Sequence, residues 1–449
     1  MWDKVVKYLK YLIIGGKSMN SINYVDTTFV IFSACLVMLM TPAVALFYGG
    51  MVRKKNILST SMHSYCSLGI VSIQWVLIGY TLAFGGNVGG FIGDFKYLFL
   101  NGVGFLPNEV YSATIPHQLF MIFQLMFAIL TPALISGAFA ERMKFKAFII
   151  FLILWCTFVY DPIAHWVWGD GGWLKTLGAL DFAGGTVVHI SSGISALVVA
   201  IMLGKRKDID SAGPHHIPMT VLGGGLLWFG WFGFNGGSAL AVNSIAINAF
   251  LVTNTAAAAA ALVWMVCEWK LNGKPTLLGF ITGGIAGLVA ITPGAGYVNV
   301  QASLIIGLIG GLVCFYTINI VKNKLGYDDA LDAFGCHGIG GIWGCIATGI
   351  FASTKINPAG VNGLLYGNAH LLLVQLISII AVVAFSVIVT YVILKLIDLV
   401  IGIRVDEDDE VVGLDLSLHG ELAYSEFEIY DKTDINGTDT VNFIQNSHR

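Results

Sequence analysis

The sequence predicts an all-α polytopic membrane protein: eleven transmembrane helices, laid out as a 5+5 inverted repeat plus one extra C-terminal helix. Three observations carry this. The 449-residue chain is 56% hydrophobic and only 11% charged, with a mean hydropathy of +0.78. Its apolar runs recur at about the 20-residue length a helix needs to cross a bilayer. Lysine and arginine alternate between rich and poor loops.

Apolar runs between polar loops place the spans near 27–48, 57–83, 117–140, 145–161, 184–203, 218–237, 244–269, 276–292, 301–320, 333–351 and 371–397. Orientation follows from basic residues in the short loops, which concentrate on the cytoplasmic side. One set of alternate loops holds Arg53, Lys54 and Lys55; Arg142, Lys144 and Lys146; Lys205, Arg206 and Lys207; Lys270 and Lys274; Lys322 and Lys324; and, past the last span, Lys395 and Arg404. The other set holds only Lys96, Lys175 and Lys355. This bias puts the N-terminus outside and the C-terminus in the cytoplasm. Lys4, Lys7, Lys10 and Lys17 run against it. Residues 1–20 therefore read as an N-terminal extension, with Met19 a second possible start; the stretch lacks the uninterrupted apolar core and small-residue cleavage site of a signal peptide. Residues 21–400 read as the transmembrane domain and 401–449 as a cytoplasmic tail, its polar end from 426 onward expected to be disordered.

Composition also excludes classes. The net charge of −3 resides in loops and tail, and no basic nucleic-acid footprint is present. Seven cysteines lie scattered through apolar spans without CxxC spacing, which suits small core residues rather than metal ligands or disulfides. No nucleophile and base pair with catalytic spacing is found, so an enzyme is not expected, and neither is a cofactor or metal. The 54 glycines cluster inside spans as GGGLLWFGWFGFNGGSA, GGIAG, GLIGG and GIGGIWG; small residues let membrane helices approach closely.

Two spans echo each other. The fifth carries LDFAGGTVVH and the tenth LDAFGCHGIGG, each with a Leu-Asp pair, glycines and a histidine, His189 and His337. Halves of five spans have opposite orientations, and inverted repeats place substrate sites near the midplane between them. An ionisable residue inside a span is a functional candidate. Counting at about 1.5 Å per residue leaves the histidines some 15 Å apart in depth across a core of about 30 Å. They can meet only if both helix starts are sunk below the surface, which requires water-filled vestibules on both faces. Asp181 reads as the acceptor for free amides at its helix start, with a cation ligand as the alternative. Phe127, Trp168, Trp231 and Phe234 are aromatics that pack or anchor when alone; with Ser238 they can build a shallow cation-π cage in which a hydroxyl accepts from a small cation.

DFAGGTVVHISSGISALVVAIMLGKR, with AHWVWG before it and GWFGFNGGSA, DDALDAFGCHG and GLDLSLHGELAY after it, closely resembles the ammonium transporter family (Amt/Mep, related to the Rh proteins) over about residues 20 to 425. The resemblance implies an eleven-helix subunit of a homotrimer with a pore in each monomer. It further implies that Phe127, Trp168 and Ser238 recruit ammonium, that Phe127 and Phe234 form a gate, and that His189 and His337 are twin histidines of a pore also lined by Trp231. Asp181 matches a structurally essential aspartate. A plasma-membrane location, ammonium and ammonia as cargo, and a PII-type regulator at the cytoplasmic face belong to the same expectation. The chemistry is consistent: an ammonium ion is costly to desolvate, ammonia is not, and potassium has no proton to give up. An Rh-like gas channel and an ammonium sensor are the competing readings; Trp168 and Ser238 argue against the first. Two departures stand out, Asp170 as an added acid at the outer mouth, expected to attract cations, and Cys336 beside the second histidine.

Overall fold

The computed structural model describes residues 22–207 and 213–424. The N-terminal extension read at 1–20 and the distal tail beyond 426 lie outside the described residues. Ten helices among the described residues are long and apolar enough to cross a membrane: α1 (Tyr24–Met51), α2 (Lys54–Phe84), α3 (His117–Ala138), α4 (Phe145–Val167), α5 (Gly185–Leu203), α6 (Ile217–Gly236), α7 (Ser244–Asn272), α9 (Val300–Leu325), α10 (Phe334–Phe351) and α11 (Ala369–Ile401). The remaining expected span is α8 (Leu277–Ile291), apolar but only 15 residues long. At 1.5 Å per residue it reaches about 22 Å, short of a full hydrocarbon core.

Helix starts follow local chemistry. Asn23, Asn243, Thr276, Asn299 and Asn368 cap α1, α7, α8, α9 and α11 with side-chain oxygens that accept first-turn N–H groups. α4 continues to Val167 rather than stopping at residue 161, although Pro162 supplies no N–H. The helix widens into a π-turn at Cys156–Tyr160 just before that proline, a local adjustment by which membrane helices tolerate one. Further π-turns lie at Trp75–Gly79, Gly185–Ile190, Phe232–Gly236, Thr317–Val321 and Phe334–Gly338.

α1 packs along α6, and α7 along α8 and α9. α5 and α10 cross at bare backbone: a Cβ at Gly193 would collide with the backbone nitrogen of Gly338. That contact lies four residues after His189 and one after His337, so the glycines bring the histidine-bearing segments together.

The basic loops converge on one end of the bundle. Arg53 and Arg206 both pair with the buried Glu141, at 2.9 and 3.3 Å, and Arg206 also pairs with Asp328 at 2.9 Å. Burial pushes the Glu141 carboxyl up, but Arg206 and Arg53 outweigh it and hold the group below the usual range. The short helices α12 (Glu407–Val412) and α13 (Leu414–His419) close over this end. Asp415 accepts from the N–H groups of Leu58 and Ser59 at 3.0 and 2.7 Å, capping a membrane helix from the tail. Glu410 pairs with Arg404 at 2.8 Å.

Candidate functional site: an outer vestibule above a buried histidine pair

His189 and His337 meet. Their Nδ1 atoms lie 3.3 Å apart, with rings near-parallel at 18° and centroids 5.3 Å apart. Both are buried. A single proton must bridge two Nδ1 atoms, so one imidazole donates and the other accepts. The Nε2 atom of His189 has no hydrogen-bond partner among the described residues. Both histidines sit in π-turns directly after irregular helix starts, consistent with the sunken geometry that the depth count requires.

Asp181 builds the first of those starts. Its Oδ1 accepts from the N–H groups of Gly184 and Gly185 at 2.7 and 2.6 Å. Its Oδ2 accepts from the N–H groups of Thr186 and Val187 at 2.7 and 3.3 Å and from the Thr186 hydroxyl. Four amides that helix geometry leaves without partners converge on one carboxylate. Gly184, at φ +117°, makes the turn that aims them, in a region L side chains avoid. Gln375 on α11 clamps the preceding loop, accepting from Leu180 N–H at 2.9 Å and donating to its carbonyl at 2.8 Å.

The start of α10 is built by Asp329 rather than by Asp332 of its Leu-Asp pair. Asp332 lies in the left-handed region at φ 60° and pairs with Lys322 at 2.6 Å. Asp329, fully buried, accepts from Phe334 N–H at 2.7 Å. Asp329 precedes His337 by eight residues, the same spacing as Asp181 to His189.

Trp231 and Phe234 stack near-parallel to His189, with centroids at 5.4 and 5.9 Å. The Trp231 indole donates to Thr292 Oγ1 at 2.9 Å, which fixes the ring. Phe127 and Phe234, both buried, pack at 4.4 Å between centroids. Trp168 meets Phe127 edge-on at 6.0 Å, its indole nitrogen donating to the Asp181 carbonyl at 2.9 Å. The Ser238 hydroxyl donates to the Phe234 carbonyl at 2.8 Å, leaving its oxygen free to accept. Phe127, Trp168, Asp181 and Ser238 all line one outer cavity of about 560 Å³.

On the other side of the pair, the cavity that His337 lines is small. The cavity beneath His337 holds about 30 Å³ and is walled by Val44, Tyr48, Leu134, Trp231, Leu331 and Cys336, among others. Tyr48, whose hydroxyl donates to the Leu134 carbonyl at 3.0 Å, and these apolar side chains fill the space. Cys336 lines this cavity and leaves the histidine contact intact. At the outer mouth, Asp170 has a neighbour of opposite sign, Lys175, which also lines the vestibule. Asp329, Gln375, Thr292, Tyr48 and Lys175 are thus parts of the site that motif reading passes over.

The model of the Ammonium Transporter Family matches residues 28–424. An ammonium transporter of Bacillus subtilis is 60% identical over 402 residues, covering 89% of this chain and 98% of its own. The crystal structure of Candida albicans Mep2 superposes with a TM-score of 0.83 at 38% identity, covering 93% of each chain. A structure described as a sensor Amt protein superposes with a TM-score of 0.80 at 30% identity, over 88% of this chain and 98% of that one. The chain is a multi-pass membrane protein and belongs to the ammonium transporter family.

Proposed function

We propose that the protein takes up ammonium across the plasma membrane by binding the cation outside, removing its proton and conducting ammonia past the histidine pair. The observation that carries this reading is the buried His189–His337 contact beneath the Phe127–Phe234 stack, in line with a cavity containing Trp168 and Ser238. In the vestibule the faces of Phe127 and Trp168 attract the cation and Ser238 Oγ accepts one of its N–H bonds. Aromatic rings close the way below, and a charged ion pays a desolvation penalty there that ammonia does not. The uncharged form alone enters, and its proton travels separately. Two neutral imidazoles that share one proton offer ammonia both a donor and an acceptor inside an apolar passage. Potassium has nothing to release and is refused.

The architecture proposed with this is eleven spans, counting α8, in two inverted halves of five with α11 outside the symmetry, N-terminus outside and C-terminus in the cytoplasm. The equal Asp–His spacings in α5 and α10 support the inverted pairing, as do the π-turns that occur in both α4 and α9 and in both α5 and α10. The convergence of the basic loops at the end opposite the vestibule supports the orientation. The assembly is a homotrimer, and the tail-covered end is where a PII-type regulator docks. Purified protein in liposomes tests the function: ammonium-dependent uptake is expected in the wild type and a several-fold higher KM in Trp168→Leu, which loses a ring face worth about 1 kcal/mol. Uptake that does not depend on ammonium, or a Trp168→Leu variant with unaltered KM, contradicts the reading.

A further inference from the structure

Lys175 belongs to a short helix at the outer mouth, Trp173–Leu177, and its side chain reaches back into the vestibule. Its Nζ donates to the carbonyl of Trp168 at 3.0 Å and lies 6.0 Å from the centroid of the Tyr111 ring. A primary ammonium group held by an oxygen acceptor and an aromatic face repeats the chemistry that Phe127, Trp168 and Ser238 offer to the substrate a few side chains away. No carboxylate among the described residues lies within ion-pair distance of Lys175; Asp170, which carries the opposite charge nearby, is exposed, its N–H donating to the Tyr111 hydroxyl at 2.9 Å, and Asp181 lines the same cavity with its oxygens held by backbone amides.

We propose that Lys175 is a specificity-determining residue of the outer site, a tethered cation that raises the KM for ammonium by repelling it from the vestibule. The proposal rests on the recruitment reading above. It turns the outer mouth from the simple cation attractor that Asp170 suggests into one with opposed charges, so that the aromatic and hydroxyl contacts must supply the binding. A unit charge on the wall of a wet cavity changes cation affinity by about two- to fourfold at low ionic strength and is screened above about 0.15 M salt.

The test compares wild type, Lys175→Gln and Lys175→Arg in proteoliposomes, measuring the KM for ammonium uptake at low and high ionic strength. Lys175→Gln is expected to have a KM about two- to fourfold below wild type at low salt, a gap that closes at high salt, while Lys175→Arg stays at the wild-type value. A role limited to pinning the Trp168 carbonyl would raise KM in Lys175→Gln or leave it unchanged, independently of salt, and either result overturns the assignment alone. Liposomes in which no variant shows ammonium-dependent uptake overturn the transport reading and this assignment together.

Discussion

The two sides of the histidine pair are built on opposite principles. On the side away from the basic loops, a cavity of about 560 Å³ presents aromatic faces, the serine oxygen of Ser238 and opposed charges. On the side toward them, about 30 Å³ remains among mostly apolar side chains. A cavity needs on the order of 10–15 Å³ to hold one water, so the inner space takes at most a few. On the proposed function, the wide side holds the hydrated cation and the narrow side passes the small neutral molecule. The helix starts differ in the same sense. Asp181 has both oxygens satisfied by four amides, whereas Asp329 Oδ1 has no partner among the described residues.

This contrast can be broken at graded strength. The largest effect is expected from Asp181→Ala, which strands four buried N–H groups at about 1–3 kcal/mol each when unsatisfied. Little folded protein should be recovered, as judged by monodispersity and melting temperature, with Asp181→Asn intermediate because one amide oxygen still accepts. If Asp181 were instead a cation ligand, Asp181→Ala would fold normally and lose only transport. Next is Gly193→Val, which forces α5 away from the Gly338 backbone. At least a tenfold loss of transport is expected, since small displacements at a reacting centre cost about that much or more, and the helix content should be retained by circular dichroism. Ser238→Ala is the mildest. It removes one hydrogen bond to a charged group, about 1.5 kcal/mol, so KM should rise roughly tenfold with an unchanged maximal rate. A fall in the maximal rate at constant KM would place Ser238 beyond the recruitment step.

Much of this was legible in the sequence because membrane spans announce themselves by length and hydropathy, and an ionisable residue inside one stands out against the apolar background. His189 and His337 were readable for that reason. The short reach of α8 was legible too, since the apolar run 276–292 exceeds the helix Leu277–Ile291 by one residue at each end. The role of Asp329 was not. Three aspartates crowd DDALDAFGCH, and the nearest to His337 invited the count, although the eight-residue spacing shared with Asp181 and His189 was there to be measured. Gln375 and Thr292 act across the fold on loops distant in sequence, which no local pattern encodes. Lys175 read as one of three loop cations because its direction, into the vestibule, is set by the short helix that carries it.

The most direct test is of the claim that a proton is removed before passage through the histidine pair. Proteoliposomes carrying wild type or His189→Ala are compared for ammonium flux and potassium flux under the same applied gradients. The account predicts ammonium transport with no potassium transport in the wild type, and in His189→Ala either at least a tenfold loss of ammonium flux or an opening to potassium. Unchanged ammonium flux together with unchanged exclusion of potassium in His189→Ala would contradict it.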